Sequence, residues 1–141
     1  MTREDIIAFF DRRQEAVSRL DPVAAASLHA EDGVVESPLA GGAAQGREAI
    51  EQVYRAFFAA FSTASIQQEE LLVDDQRAVL VVHIDGTDRG GLMGMQPTGR
   101  PFSMSLVSLC ELRDGLIVRE RRIYDYTGLL IQIGAVKVKP I

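Results

Sequence analysis

Hydrophobic residues recur along residues 47–62 at an almost unbroken helical period. Ile50, Val53, Tyr54, Phe57, Phe58 and Phe61 stand at i, i+3, i+4, i+7, i+8 and i+11. This spacing gathers them on one wide stripe and predicts an amphipathic helix turned toward a core. A weaker pattern opens the chain. Thr2 with Asp5 three residues later resembles a capping box, with Asp in place of the usual Glu or Gln. Ile6, Ile7, Phe10, Val17 and Leu20 follow at helical intervals, so a helix is expected over 3–20. Asp21 as N-cap and Pro22 in the first turn predict a second, short helix over 21–31.

A brief strand, 34–37, and a turn at Gly41-Gly42 separate these helices from the aromatic one. Beyond residue 62 the pattern is that of strands, at 66–73, 77–88, 102–112 and 116–126. They are joined at Asp74-Asp75-Gln76, by a Gly-rich loop over 89–100, and by Asp114-Gly115, a hairpin signal. Three helices followed by an antiparallel sheet describe an α+β domain with helices on one face. A strongly curved sheet wrapped around the three N-terminal helices makes a cone, with a pocket expected in its interior. We find no repeat and no linker, so residues 1–141 are read as a single domain.

Charge and composition narrow the function classes. The 141 residues carry 15 Lys and Arg against 20 Asp and Glu, a net charge of −5. No dense basic stripe of the kind nucleic acids require is present. The nearest approach, Arg119, Arg121 and Arg122, is interrupted by Glu120 and is read as a solvated or partner-facing strand. The single cysteine, Cys110, excludes an internal disulfide, suits a reducing compartment and is expected in the core. The N-terminus is charged where a secretory signal would be apolar. No apolar run approaches the ~20 residues of a membrane span. A soluble, cytoplasmic protein is the expectation. Two separated histidines, His29 and His83, fall short of the three convergent ligands of a catalytic zinc, and no metal is expected. His83, between Val82 and Ile84, is read as a hydrogen-bonded structural residue. Gly90-Gly91 and Gly94 lead into a strand instead of a helix, so no phosphate cradle forms there.

Carboxylates remain as candidate chemistry. Asp88 closes the alternate set Leu80, Val82, Ile84, Gly86, and Asp125 ends the last strand between Tyr124 and Tyr126. A carboxylate closing an apolar face is poorly solvated, which raises its pKa toward the range useful for proton transfer.

Three stretches resemble the nuclear transport factor 2-like superfamily, in its SnoaL-like and ketosteroid-isomerase-like branch. They are His29 to Pro38 (HAEDGVVESP), Gly46 to Ile50 (GREAI) and Pro97 to Arg100 (PTGR). The ending, Tyr124 to Gly134 (YDYTGLLIQIG), is similar to the tail of SnoaL-like polyketide and ester cyclases. The resemblance covers essentially the whole chain and implies the cone-shaped fold. Ketosteroid isomerases carry their general base where this chain has Ser37. Their oxyanion-hole aspartate falls near Ser108, so that mechanism does not carry over. The acid/base aspartate of SnoaL-like cyclases matches Asp125. Limonene epoxide hydrolases place an Arg-x-Asp where this chain has Gly86-Thr87-Asp88, matching the acid and losing the arginine.

The resemblance thus implies an acid/base enzyme, of cyclase or isomerase type, acting on a small apolar carbonyl, ester or polyketide-like substrate. Asp125 would shuttle the proton and Asp88 would assist. Tyr54, Phe58, Phe61, Ser108 and Tyr124 would contact the substrate, and no cofactor is implied. The alternative is a non-catalytic binding domain for a hydrophobic metabolite. The hairpin at Asp114-Gly115 leaves the register of the last strand open, and an inward Asp125 sharing a pocket with Asp88 is the reading adopted. Val79, Val81 and His83 lie on the opposite face and are too apolar for free solvent. A homodimer through that face is expected.

Overall fold

The structure, a computed structural model, describes residues 1–140. Helix α1 runs Arg3–Ser18, α2 Pro22–Ala26 and α3 Arg47–Ala60, and a fourth helix, α4, runs Tyr126–Gln132. The strands are β1 (His29–Ser37), β2 (Gly42–Gln45), β3 (Ser65–Asp74), β4 (Arg77–Thr87), β5 (Pro101–Arg113) and β6 (Leu116–Tyr124). The capping box expected from the sequence is formed: Asp5 N–H donates to Thr2 Oγ1 at 3.1 Å and Thr2 N–H to Asp5 Oδ2 at 2.8 Å. Asp21 caps α2, with Pro22 in its first turn.

Two expectations are corrected. The helices do not form one N-terminal block, because β1 and β2 intervene before α3 and α4 follows the last strand. The sheet has six strands in the order β2-β1-β6-β5-β4-β3, and it is mixed, since β1 runs parallel to β6. The result is a curved mixed sheet with helices against its inner face.

Cross-strand register sorts the side chains. Leu80, Ser108 and Arg122 form one inner row, and Val82, Leu106 and Tyr124 form the next. Phe9, Phe10, Tyr54 and Phe61 are almost completely buried against this face. Each such side chain contributes roughly 1.5–3 kcal/mol by leaving water. Phe61 packs between Phe57 and Phe102, with ring centroids 4.7 and 5.4 Å away.

The β5–β6 hairpin fixes what points inward. Asp114 and Gly115 both have positive φ, 53° and 79°, as a two-residue type I′ turn requires. A plain two-residue hairpin would carry the pairing Leu112↔Ile117 straight along the ladder. Instead Glu111 pairs with Arg119, leaving Val118 as an extra residue. This β-bulge shifts every following residue of β6 to the opposite face. Glu120, Arg122 and Tyr124 turn inward, and Arg119, Arg121 and Ile123 turn out.

Beyond Tyr124 the edge of β5 lacks a strand partner. Gln132 of α4 supplies one: Ser103 N–H donates to its Oε1 at 2.7 Å and its Nε2 donates to Ser103 O at 3.0 Å. Leu129 and Ile133 bury the other side of that helix. No helix among the described residues is long and apolar enough to cross a membrane.

Candidate functional site

The inner face of β6 carries an ionic cluster where the rest of the sheet is apolar. Glu120 is fully buried and accepts four hydrogen bonds. Its Oε2 receives Arg13 Nη2 at 2.8 Å, Ser108 Oγ at 2.8 Å and Arg122 Nε at 3.0 Å; its Oε1 receives Arg122 Nη2 at 3.3 Å. Desolvation opposes this charge, but the guanidinium groups of Arg122 and Arg13 outweigh it and hold Glu120 well below the usual carboxylate range. Glu120 is therefore ionised at any ordinary pH.

His29, at the start of β1, completes the cluster with Tyr54 of α3. His29 Nε2 lies 2.8 Å from Tyr54 Oη, and Arg13 Nη2 donates to the same oxygen at 3.4 Å. Burial is the main reason that His29 is pushed down to about 3; Arg13, Arg122 and Arg47 add to it, and Glu120 opposes. His29 is neutral at physiological pH. Burial also pushes the Tyr54 phenol up, so Tyr54 stays protonated.

Arg122 joins the cluster to the spaces beside it. Its Nε and Nη2 clamp Glu120, and its guanidinium stacks over the Tyr54 ring at 4.7 Å and the Phe57 ring at 5.7 Å. Its Nη1 has no protein partner among the described residues, and it is not among the buried atoms that lack one. Only 3% of the side chain is exposed. Arg122 walls two spaces. One is an interior cavity of about 30 Å³, lined by Arg13, Tyr54, Phe57, Phe58 and apolar residues of β3, β4 and β5. The other is an open groove of about 520 Å³ over Ser37, Pro38, Ala43 and Tyr124. The groove lies where the β1–β6 pairing ends at Glu36↔Arg121 and β1 turns away at Pro38. Ser37 Oγ, buried at its edge, has no hydrogen-bond partner among the described residues.

The residues singled out from the sequence fall in three places. Tyr54 and Phe58 line the cavity, and Tyr124 lines the groove. Ser108 is buried and spent on Glu120, and Phe61 packs in the aromatic core outside the lining. Asp88 and Asp125 are held by separate partners, and neither lines the cavity or the groove. Asp88 is buried, and its carboxylate accepts from Gly91 N–H, Thr98 N–H and Thr98 Oγ1 at 3.2, 2.9 and 3.1 Å, tying the 88–100 loop. Asp125 is exposed and caps α4, accepting from Gly128 N–H at 2.8 Å. The inward Asp125 is thus corrected: the bulge at Val118 gives the inward place to Tyr124.

Arg13, His29, Glu120 and Arg122 are the site residues that the sequence reading missed. A signal existed for Arg13, which fills the gap between Phe10 and Val17 in the α1 stripe. For Glu120 and Arg122 the signal was ambiguous, since both alternate sets of β6 contain charges. Among the described residues, no group of three or more His, Cys, Asp or Glu converges to hold a metal ion.

The SnoaL-like polyketide cyclase family model matches residues 8–133. The chain belongs to that family. AclR of Streptomyces galilaeus superposes with a TM-score of 0.82 at 21% identity, over 99% of this chain and 91% of that one. TsrD of Streptomyces laurentii gives 0.80 at 24%, over 96% and 99%. IdmH of Streptomyces antibioticus, named as a candidate polyketide cyclase, gives 0.75 at 27%, over 90% and 96%. No curated protein sequence matches the chain at a significant level.

Proposed function

We propose that this member of the SnoaL-like polyketide cyclase family is a small-molecule enzyme of acid/base type, cyclising or isomerising an apolar carbonyl, ester or polyketide-like compound. The observation that carries the reading is Arg122, a buried guanidinium whose Nη1 has no protein partner among the described residues and which lines an apolar cavity. A donor fixed at the place where a substrate carbonyl becomes an enolate stabilises that charge without reorganisation, and one such donor contributes about 10²–10³ in rate. The likeness to IdmH supports a polyketide-like substrate. The 30 Å³ cavity holds only about two or three waters at ~10–15 Å³ each, so a substrate enters by widening it or lies in the adjoining groove.

The resemblance assigns the proton to Asp125 with Asp88 assisting. Asp125 would have to leave the α4 cap to serve, and the three donors on Asp88 give it a role in holding the loop. Beside the cavity, Tyr54 and His29 are hydrogen-bonded to each other, and Tyr54 can turn its phenol proton to a substrate oxygen when His29 carries its own proton on Nε2. Burial holds His29 down to about 3, so the pair donates a hydrogen bond and takes no proton from carbon.

Solvent deuterium uptake into 2-tetralone, a simple enolisable ketone, tests the reading by mass spectrometry. We expect uptake above the buffer rate, reduced about 100-fold or more in Arg122→Gln. Loss of uptake in Asp125→Asn assigns the proton to Asp125, and unchanged uptake removes Asp125 from that role. Uptake at the buffer rate with the wild-type protein counts against the enzyme and favours the second reading, a binding domain for a hydrophobic metabolite. One observation supports that reading: Glu120, His29 and Tyr54 are all shifted away from neutrality.

We also infer a homodimer, through the outer sheet face. Leu72, Val79 and Leu109 form one outward cross-strand row, and Val81, Val107 and Ile123 form the next. Leu72 is 61% exposed and Ile123 48%, which is more apolar surface than a free sheet face usually leaves in water. A monomer mass independent of concentration contradicts this. The buried lone thiol of Cys110 fits a reducing compartment, and we place the protein in the cytoplasm.

A further inference from the structure

The charges of the cluster do not cancel. Arg13 and Arg122 contribute two positive charges, Glu120 one negative, and the neutral His29 and Tyr54 none. Among the described residues the one other buried acid is Asp88, which the 88–100 loop occupies completely. The nearest further charge linked to His29 is Arg47, again positive, whose guanidinium donates to the His29 carbonyl at 2.8 Å. A buried unit charge without a counter-charge is costly, by several kcal/mol even after relaxation. Arg13 Nε is also buried without a partner, and Arg122 Nη1 has no protein partner among the described residues. A protein that keeps a net positive charge under an apolar lining, with guanidinium donors unspent, has left room for the missing anion.

We infer that the ligand held against Arg122 is a singly charged oxyanion on an apolar body: a carboxylate, or an enol or phenol acidic enough to be ionised before it binds. This rests on the reading that Arg122 is the ligand-binding residue, and it deepens that reading by naming the charge. The anion would complete a two-by-two alternation, with Arg13 and Arg122 each between two negative groups. Its apolar body would lie along Phe57, Phe58 and Leu106 in the cavity, or along Pro38, Ala43 and Tyr124 in the groove. A dianion is disfavoured, because it would overturn the balance that the first charge restores. A neutral ketone is bound through its dipole alone and leaves the cluster uncompensated.

The test uses two probes of one shape, 2-naphthoate and 2-naphthamide, titrated calorimetrically into the wild-type protein at pH 7. Naphthoate is expected to bind at least ten-fold more tightly. Glu120→Gln, which raises the cluster by one positive charge, is expected to tighten naphthoate several-fold and leave naphthamide unchanged. Arg122→Gln is expected to abolish the preference. Equal binding of acid and amide by the wild type overturns the inference while leaving Arg122 as a ligand site. Binding of neither overturns the site itself. Tighter naphthoate binding that persists in Arg122→Gln places the anion elsewhere and also overturns the inference. The wild-type comparison stands even where a variant fails to fold.

Discussion

Strand β6 carries two ionic clusters on its two faces, built from neighbouring residues of the same types. On the inner face Arg122 and Glu120 meet Arg13 with no more than a few per cent of any side chain in water beyond Arg13's own 9%. On the outer face Arg119 and Arg121 meet Glu36 at 3.0 and 3.9 Å, with half or more of each arginine side chain exposed. The contact distances are alike, but the surroundings are not. Water and salt screen the outer pairs, whose value is typically about 0–1 kcal/mol. Inside, each charge depends on its partners, and removing one leaves the others stranded at a cost of about 3–5 kcal/mol. The outer cluster decorates a strand; the inner one can act on a ligand, because a desolvated charge interacts strongly with whatever enters.

One residue decides which cluster is which. Deleting Val118 alone removes the bulge but keeps Glu111 opposite Arg119 and Cys110 opposite Glu120, so both faces keep their charges. Deleting Val118 and Arg119 together moves Glu120 opposite Glu111. Arg121 and Ile123 would then face the core, and Glu120 and Arg122 the solvent. We expect the native state to be lost altogether in the double deletion, seen as collapse of amide dispersion in a two-dimensional NMR spectrum. A double deletion with the wild-type spectrum would show that β6 is sorted by something other than its register.

The next largest effect comes from the two acids at the cluster centres. Glu120→Gln leaves Arg13 and Arg122 buried without a counter-charge, and urea unfolding should show a loss of about 3–5 kcal/mol. Glu36→Gln, the same change outside, should cost about 1 kcal/mol or less. Equal losses in the two variants would erase the distinction between the faces.

The sequence pattern was sufficient for α3, whose six apolar residues keep one helical stripe, and for the caps of α1 and α2. The Asp114-Gly115 turn was likewise plain. Reading β6 failed for a physical reason. Alternation reports which face is buried only when buried means apolar, and here a buried ion cluster puts Glu120 and Arg122 inside. The bulge then shifts the phase of the alternation without leaving any mark in composition. The inward Asp125 was an error of the same origin, since one extra residue moves it off the inner face. Helix α4 went unpredicted because its stretch, Tyr126–Gln132, is short and was read only as a family-like tail. Strand β1 is longer than the expected 34–37, because Glu31-Asp32-Gly33 looks like a turn although it belongs to the strand. That error also hid His29, which begins the strand and points into the cluster.

A smaller effect follows from His29 through its proton. Its folded pKa is lowered to about 3 from 6.5, so the unfolded chain takes up a proton that the folded chain refuses. The stability associated with a neutral His29 is fully present above pH 6.5. It is lost as the pH falls toward 3, by at most about 1.4 kcal/mol per pH unit. His29→Gln should flatten that slope in urea midpoints measured between pH 6.5 and 5. An unchanged slope would mean that other groups produce it.

Strand β6 turns a net-positive ionic cluster into the interior, around a histidine that cannot take up a proton. Ring carbon and nitrogen NMR shifts of His29, followed from pH 8 to pH 5 and assigned through His29→Gln, test it most directly. A buried His29 between Arg13 and Arg122 keeps the shifts of a neutral imidazole throughout that range. A His29 that titrates with a midpoint near 6.5 would show that the ring meets solvent and that the cluster is not enclosed.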